Sequence, residues 1–464
     1  MVIFYSEKME TVILYQRNVS ANDDLTSLLS SMPNTRFIIQ YQHTLTSNVT
    51  IASNVILDFQ GGSIGGNYTL TGSDTVIDAP PVKIFGDGLS LSGTWRSPHY
   101  YCEWLDRDVE RTIGAFRAVS FVGSYVFSEP ICINKLAKIE FCPGSSVQVS
   151  NNAALSYLFV VDIDNDEVSV QNVPYIYDGV RFQGYGKIDM NNRCGFALVK
   201  KNANNGNLKY NVYFQDLRVI NCGKRINDEE ALAFVETRMQ ETIFSNCWFS
   251  RGQGVSASCL QEYGILCDAF DCKLTRVTIL TYNTGIRMDC GAVLTDVHVW
   301  GLPHIAFKIK GDNCKLVSTF ADGGYMNYYL ESTVHSIEIT SFMACSRDSS
   351  SDFENRGTCY LIVTEGQDIR GIATGFVSSV HNGELPLLYP VYHLETDSLG
   401  SESFHQQACP LLFFADVKEG FHFPAFSTTN RPASNIPAGY SYFDTTLNKP
   451  LWWNGQSWVT ATGT

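Results

Sequence analysis

Apolar and polar side chains alternate through four short stretches in the middle of the chain: residues 264–268 (GILCD), 285–289 (GIRMD), 306–310 (AFKIK) and 327–331 (NYYLE). Each stretch begins 21 residues after the one before it. Alternation with period two is the mark of a strand with one buried face. Two columns are apolar and should face inward: Ile265, Ile286, Phe307 and Tyr328, and Cys267, Met288, Ile309 and Leu330. Leu266, Arg287, Lys308 and Tyr329 should face outward, with Asp268, Asp289, Lys310 and Glu331. A second strand recurs in each unit, as KLTRVTI from Lys273, VLTDVHV from Val293, KLVSTFA from Lys315 and SIEITSF from Ser336. Its leading apolar positions Leu274, Leu294, Leu316 and Ile337 are spaced by 20, 22 and 21 residues, and Cys272, Ala292 and Cys314 form a small-residue column two places before the first three.

A short unit carrying two strands predicts an all-β parallel β-solenoid whose coils lie ~4.8 Å apart, so that equivalent residues stack. The leucine-rich pattern is absent, and a propeller blade needs about twice the period. The usual crossover of parallel strands makes the β-helix right-handed. YNVYFQDLRVINCG from Tyr210 and ETIFSNCWFSRG from Glu241 extend the pattern upstream. A polar loop, residues 346–357, interrupts it before it resumes at residue 358. Short alternating segments split by Asn, Gly and Ser predict a first solenoid stretch within residues 37–95, preceded by a short helix in NDDLTSLLSSM that is either a cap or part of a solvated leader. The expected organisation is an arm over 1–36, a strand segment over 37–98, a connection over 99–125, the β-helix body over 126–425 and a terminal module over 426–464.

Composition narrows the function. The chain has 464 residues, 36 of them Gly, with 44% hydrophobic and 17% charged residues, which suits many strands and turns. A net charge of −14 excludes a nucleic-acid partner, which needs a concentrated basic surface. No apolar run approaches the ~18 residues of a membrane span, and the first residues lack a signal-peptide pattern, so no membrane insertion and synthesis in a cytoplasm are expected. None of the 14 cysteines forms a CxxC pair or a zinc-finger cluster. They are read as small buried hydrophobes, with no metal and no cofactor.

Residues 439–460, GYSYFDTTLNKPLWWNGQSWVT, predict a small β-meander with a hairpin turn at Asn454-Gly455. About forty residues cannot bury so many aromatics alone. Trp452, Trp453 and Trp458 therefore either dock the module as a cap or offer flat faces to sugar rings.

The candidate chemistry lies in the outward columns. Stacked coils place Asp268 and Asp289 about 5 Å apart, close to the ~5–5.5 Å of a retaining glycosidase pair. Such proximity raises the pKa of one carboxyl and leaves the other charged. Arg287 and Lys308, next to them, suit an acidic sugar, and Tyr329 completes the same column. The plainer reading is a charged solenoid face in which Lys310 neutralises its neighbours. Asp216 and Asp296 occupy comparable strand positions, and His298, His304 and His335 are isolated surface or packing histidines. DIDNDE, residues 162–167, lacks the glycine and glutamate of a calcium loop and reads as an acidic turn.

Residues 54–95, NVILDFQGGSIGGNYTLTGSDTVIDAPPVKIFGDGLSLSGTW, resemble the N-terminal strand segment of β-helical tail proteins from phages of gut Bacteroidales, including crAss-like phages. Residues 102–116, CEWLDRDVERTIGAF, stand where the pectate-lyase-like members carry a Gly-Asp-Gly core, which is missing here. Residues 427–463 resemble a terminal module of phage tail fibres and spikes. The resemblance implies a tailspike or tail-fibre subunit of the virion, made in the host bacterial cytoplasm. It further implies a homotrimer, attachment to other virion proteins through the N-terminal region, and engagement of host cell-surface polysaccharide. A capsule depolymerase on the same scaffold and a purely structural virion component are the alternatives.

Overall fold

The structure is a computed structural model that describes residues 10–14, 25–163, 179–200, 211–225, 228–253, 259–281, 283–301, 304–322, 325–331, 334, 336–347, 358–364, 371–380, 387–396, 402–405, 411–417, 425–430 and 441–460. The polar loop beyond residue 347, His335, and residues 164–167 of the acidic stretch lie outside them. The chain folds as two compact units: Met1–Gln148 with Phe159–Lys187 and Asn204–Tyr210, and Val149–Leu158 with Ile188–Ala203 and Asn211–Thr464.

The first unit opens with the helix Leu25–Ser31, which buries Leu25 and Leu29. A parallel ladder follows, in which Phe37 pairs with Leu57 and Leu57 with Ile77. All three are shielded from water, as the period-two pattern requires. Phe85, Trp95, Trp104 and Phe116 close the core against this ladder. The helix Val109–Phe116 starts on Asp108, whose carboxylate accepts the Arg111 N–H at 2.9 Å. It ends at Arg117, a left-handed residue with φ 57°. Strands Ala118–Phe121, Lys138–Phe141 and Gly179–Gly184 then stack in parallel, with the Phe121 and Phe141 rings 5.4 Å apart.

The second unit is a parallel β-helix. Tyr263–Cys267, Thr284–Met288, Ile305–Ile309 and Met326–Leu330 pair rung on rung. Ile265, Ile286, Phe307 and Tyr328 form one continuous inward stack, each wholly buried, with the Phe307 and Tyr328 rings 5.1 Å apart. The register advances by 21 residues at each of these rungs. On the second sheet Leu274 pairs with Leu294 and Leu294 with Leu316.

The next rung corrects the expected register: Leu316 pairs with Ile339, not Ile337. A shift of two residues preserves the face, so both isoleucines stay buried and the hydrophobic pattern does not distinguish them. The position before each inward stack also turns inward. A Cβ on Gly264 would lie 2.5 Å from Ile279 Cγ2, and one on Gly285 would lie 2.3 Å from Val299 Cγ1. The small residues at these places let the two sheets approach.

Most of the cysteines among the described residues match the small-hydrophobe reading: Cys102, Cys142, Cys194, Cys222, Cys247, Cys267, Cys272 and Cys314 are buried and form no disulfide. Ser441–Asp444, Lys449–Trp453 and Trp458–Val459 form the antiparallel C-terminal meander, to which Ala425–Phe426 adds in parallel. Among the described residues no helix is long and apolar enough to cross a membrane.

Candidate functional site

The outer face of the sheet through Tyr263–Cys267 and Met326–Leu330 carries the residues singled out from sequence. Leu266, Arg287, Lys308 and Tyr329 pair in one register line, so the stacked column exists as a ladder. Its charges are already matched. Arg287 donates from Nε to Asp289 Oδ1 at 2.6 Å and from Nη1 to the Tyr263 hydroxyl at 2.9 Å, with its guanidinium carbon 5.5 Å from the Tyr263 ring centroid. Burial by itself would lower the pKa of Arg287, but the bonds to Asp289 and Tyr263 outweigh it and hold the group raised. One coil on, Lys308 Nζ lies 3.0 Å from Glu331 Oε1 and 5.5 Å from the Tyr329 ring centroid. Tyr329 is only 5% exposed, so its ring lies under this cation rather than open to solvent.

Asp268 and Asp289 follow strands in adjacent coils: their N–H groups donate to the carbonyls of Thr237 and Cys267, both at 2.9 Å. The Asp289 carboxylate is held by Arg287, whereas Asp268 is exposed and has no ion pair among the described residues. The two positions are therefore stacked but electrostatically unlike. Lys310, in the same column, is also exposed.

Sequence reasoning missed the upstream end of this face. The Tyr157 hydroxyl donates to Glu236 Oε2 at 2.9 Å, and Glu236, 1% exposed, also accepts Arg238 Nε at 2.7 Å. Glu236 pairs with Leu266, which pairs with Arg287, and so lies two rungs before Arg287 in the same line. Extending the outward column upstream would have found it; no periodicity points to Tyr157, which comes from a separate segment.

In the C-terminal meander, Trp452, Trp453 and Trp458 are half-buried. Trp458 stands edge-on to Tyr442, with centroids 4.6 Å apart, and lies 5.4 Å from Trp453. Asp444 is enclosed by the Tyr442 and Thr428 hydroxyls and by the N–H groups of Thr446 and Leu447. His298 stacks on Phe320 at 4.4 Å, and burial lowers its pKa; His304 stacks on Tyr325 at 5.3 Å.

The first unit holds a cleft of about 1060 Å³, assembled from the strand around Trp95, the end of the helix at Arg117 and the segment from Lys135 to Glu140. At its edge His99 Nδ1, a Glu140 oxygen and Cys142 Sγ all lie within 4.8 Å of one another. Glu140 accepts from His99 at 2.9 Å, Ser120 at 2.8 Å and Lys138 at 3.0 Å. Lys138 thus supplies positive charge to Oε1 of this carboxylate, while His99 and Ser120 bond to Oε2.

Comparison with protein-family models and with curated proteins finds no match. Among solved structures the chain is similar to tailspike protein 3 of bacteriophage CBA120, at 12% sequence identity and a TM-score of 0.21. The likeness covers 94% of this chain and 64% of that one, so the chain spans less than two thirds of its length.

Proposed function

We propose that the chain is a subunit of a phage tailspike or tail fibre that engages host cell-surface polysaccharide. The observation that carries this reading is the outer ladder of the β-helix, where Arg287 with Tyr263 and Lys308 with Tyr329 recur on successive coils. Each cation is pinned by its own carboxylate and keeps donors to spare, since a guanidinium has five N–H bonds and an ammonium three. A surface of fixed donors and carboxylates repeating every ~4.8 Å suits a long chain rich in hydroxyl groups. The likeness of residues 54–95 and 427–463 to phage tail proteins favours the same reading, and with it a right-handed homotrimer carried on the virion. Residues 1–32 are its proposed anchor to other virion proteins; normal incorporation of a chain lacking them would refute that assignment.

Engagement without cleavage is favoured over a depolymerase, because the Asp289 carboxylate is committed to Arg287. The test incubates purified chain with capsular polysaccharide from a susceptible host. Retention is measured by pull-down, new unsaturated ends by ultraviolet absorbance, and hydrolysis by reducing ends. Retention with no new ends is expected. New ends would make the protein a depolymerase and direct attention to Asp268 and Asp289. Folded protein that neither binds nor cuts would instead be a structural virion component.

A further inference from the structure

We infer that His99, Glu140 and Cys142 form a binding site for one divalent transition-metal ion of the zinc type, held by an imidazole, a carboxylate and a thiolate. The inference is independent of the polysaccharide reading. For Cys142 alone it replaces the small-hydrophobe reading.

Parallel stacking brings the three side chains together. Glu140 lies in strand Lys138–Phe141, and the Cys142 N–H still donates to the Phe121 carbonyl at 3.0 Å, so the extended ladder reaches Cys142. A period of two then puts Glu140 and Cys142 on one face. Ser120 pairs with Glu140, and Tyr101 bridges to Ser120, which lays the segment carrying His99 alongside as a further rung. His99 Nδ1 stands 2.9 Å from Glu140 Oε2 and 4.0 Å from Cys142 Sγ, and all three ligand atoms lie within 4.8 Å of one another. Bonds of about 2.0–2.3 Å set the ligands of a tetrahedral zinc roughly 3.3–3.8 Å apart, so small side-chain movements admit the ion. Among the described residues no other three His, Cys, Asp or Glu side chains meet so closely.

Neighbours that are not ligands hold the ligands in place. The Tyr101 ring stacks on His99 with centroids 5.7 Å apart. Glu140 Oε2 accepts the Ser120 hydroxyl at 2.8 Å, Ser120 Oγ in turn accepts the Tyr100 N–H at 3.2 Å, and Lys138 keeps to Oε1 at 3.0 Å. Supporting contacts of this kind orient metal ligands and raise affinity. His99 is 41% exposed, which opens the site to solvent and leaves a fourth position for water.

The donor set selects the ion. Thiolate and imidazole suit zinc or cobalt, whereas calcium and magnesium take oxygen. Thiolate and carboxylate together cancel the charge of a dication, which limits the cost of holding it in a half-buried place. Binding takes Cys142 as thiolate, and its proton leaves to solvent. His99 gives up the Nδ1 proton and carries one at Nε2 instead, so one proton is released per ion. His99 and Cys142 are 43 residues apart, so the ion closes a long loop and its binding stabilises the first unit.

The test uses the full chain without an affinity tag, stripped with chelator and titrated with cobalt(II). Wild type should bind one ion per chain and develop the near-ultraviolet charge-transfer band of a thiolate on cobalt, and zinc should displace it. Cys142→Ser should abolish the band and weaken binding by more than about a hundredfold, beyond the effect of losing a supporting hydrogen bond. His99→Ala, at a partly exposed position, should weaken binding likewise and carries the test should Cys142→Ser not fold. Cys132→Ser should leave band and affinity unchanged. Zinc should raise the melting temperature of wild type and not that of Cys142→Ser. The proposal is overturned if wild type shows no band at saturating cobalt, if the band survives in Cys142→Ser or is lost in Cys132→Ser, or if His99→Ala binds as tightly as wild type. Displacement of cobalt by calcium at equal concentration would overturn it too, because an all-oxygen site would then hold the ion.

Discussion

Arg287 Nε meets Asp289 Oδ1 at 2.6 Å, and this ion pair withdraws one carboxylate from the stacked couple of Asp268 and Asp289. Both partners are largely shielded, at 19% and 16% side-chain exposure. Asp289→Asn should therefore cost ~1–3 kcal/mol, because it leaves a shielded guanidinium without its counter-charge. Asp268→Asn, at an exposed position, should stay within ~0.5 kcal/mol of wild type. Urea midpoints of the two variants measure the difference; equal midpoints would show that the pair contributes nothing to the coil.

Gly285 stands where a Cβ would lie 2.5 Å from the Ala306 carbonyl oxygen, a backbone atom that cannot step aside cheaply. Gly285→Ala should destabilise the β-helix by ~1–3 kcal/mol through overpacking. Adding Val299→Ala relieves the side-chain clash but not the backbone one, so it should rescue only part. Full rescue in a denaturant titration would show that the side chain alone sets the spacing.

Asp444 ties the C-terminal meander to pH. Burial would raise its pKa, but the bonds from the Leu447 N–H, the Tyr442 and Thr428 hydroxyls and the Thr446 N–H hold it down at about 2, against an ordinary 3.8. A carboxylate lowered in the folded state stabilises that state above its unfolded pKa and loses the contribution as pH falls through the folded one. The meander should accordingly weaken between about pH 4 and pH 2, read by fluorescence of Trp452, Trp453 and Trp458. Asp444→Asn should remove this acid step; an unchanged step would place the titrating group elsewhere.

The cysteines should divide sharply in reactivity. Burial pushes the thiols of Cys194, Cys247 and Cys314 up to about 12 and that of Cys222 well above its usual value. Cys132 is exposed. A thiolate-directed reagent at pH 8, followed by peptide mapping, should modify Cys132 first and leave these four intact until denaturant is added. Early labelling of Cys222 would contradict the buried packing of its strand.

The sequence by itself determined the inward stack of Ile265, Ile286, Phe307 and Tyr328, because period-two alternation and its recurrence are local properties that follow from pleat geometry. It determined the hairpin at Asn454-Gly455 and the role of cysteine as a small buried residue for similar reasons. Register beyond that repeat was not legible. Ile337 and Ile339 satisfy the same face equally well, and only pairing in space put Ile339 on Leu316. Nor was the choice of Arg287 for Asp289, or the enclosure of Glu236 by Tyr157, since a charge takes the partner its surroundings bring near rather than the one its spacing suggests. The cleft of the first unit belongs wholly to the tertiary structure: Trp95, Arg117, Lys135 and Glu140 share no period and come together because a helix ends between two strand segments.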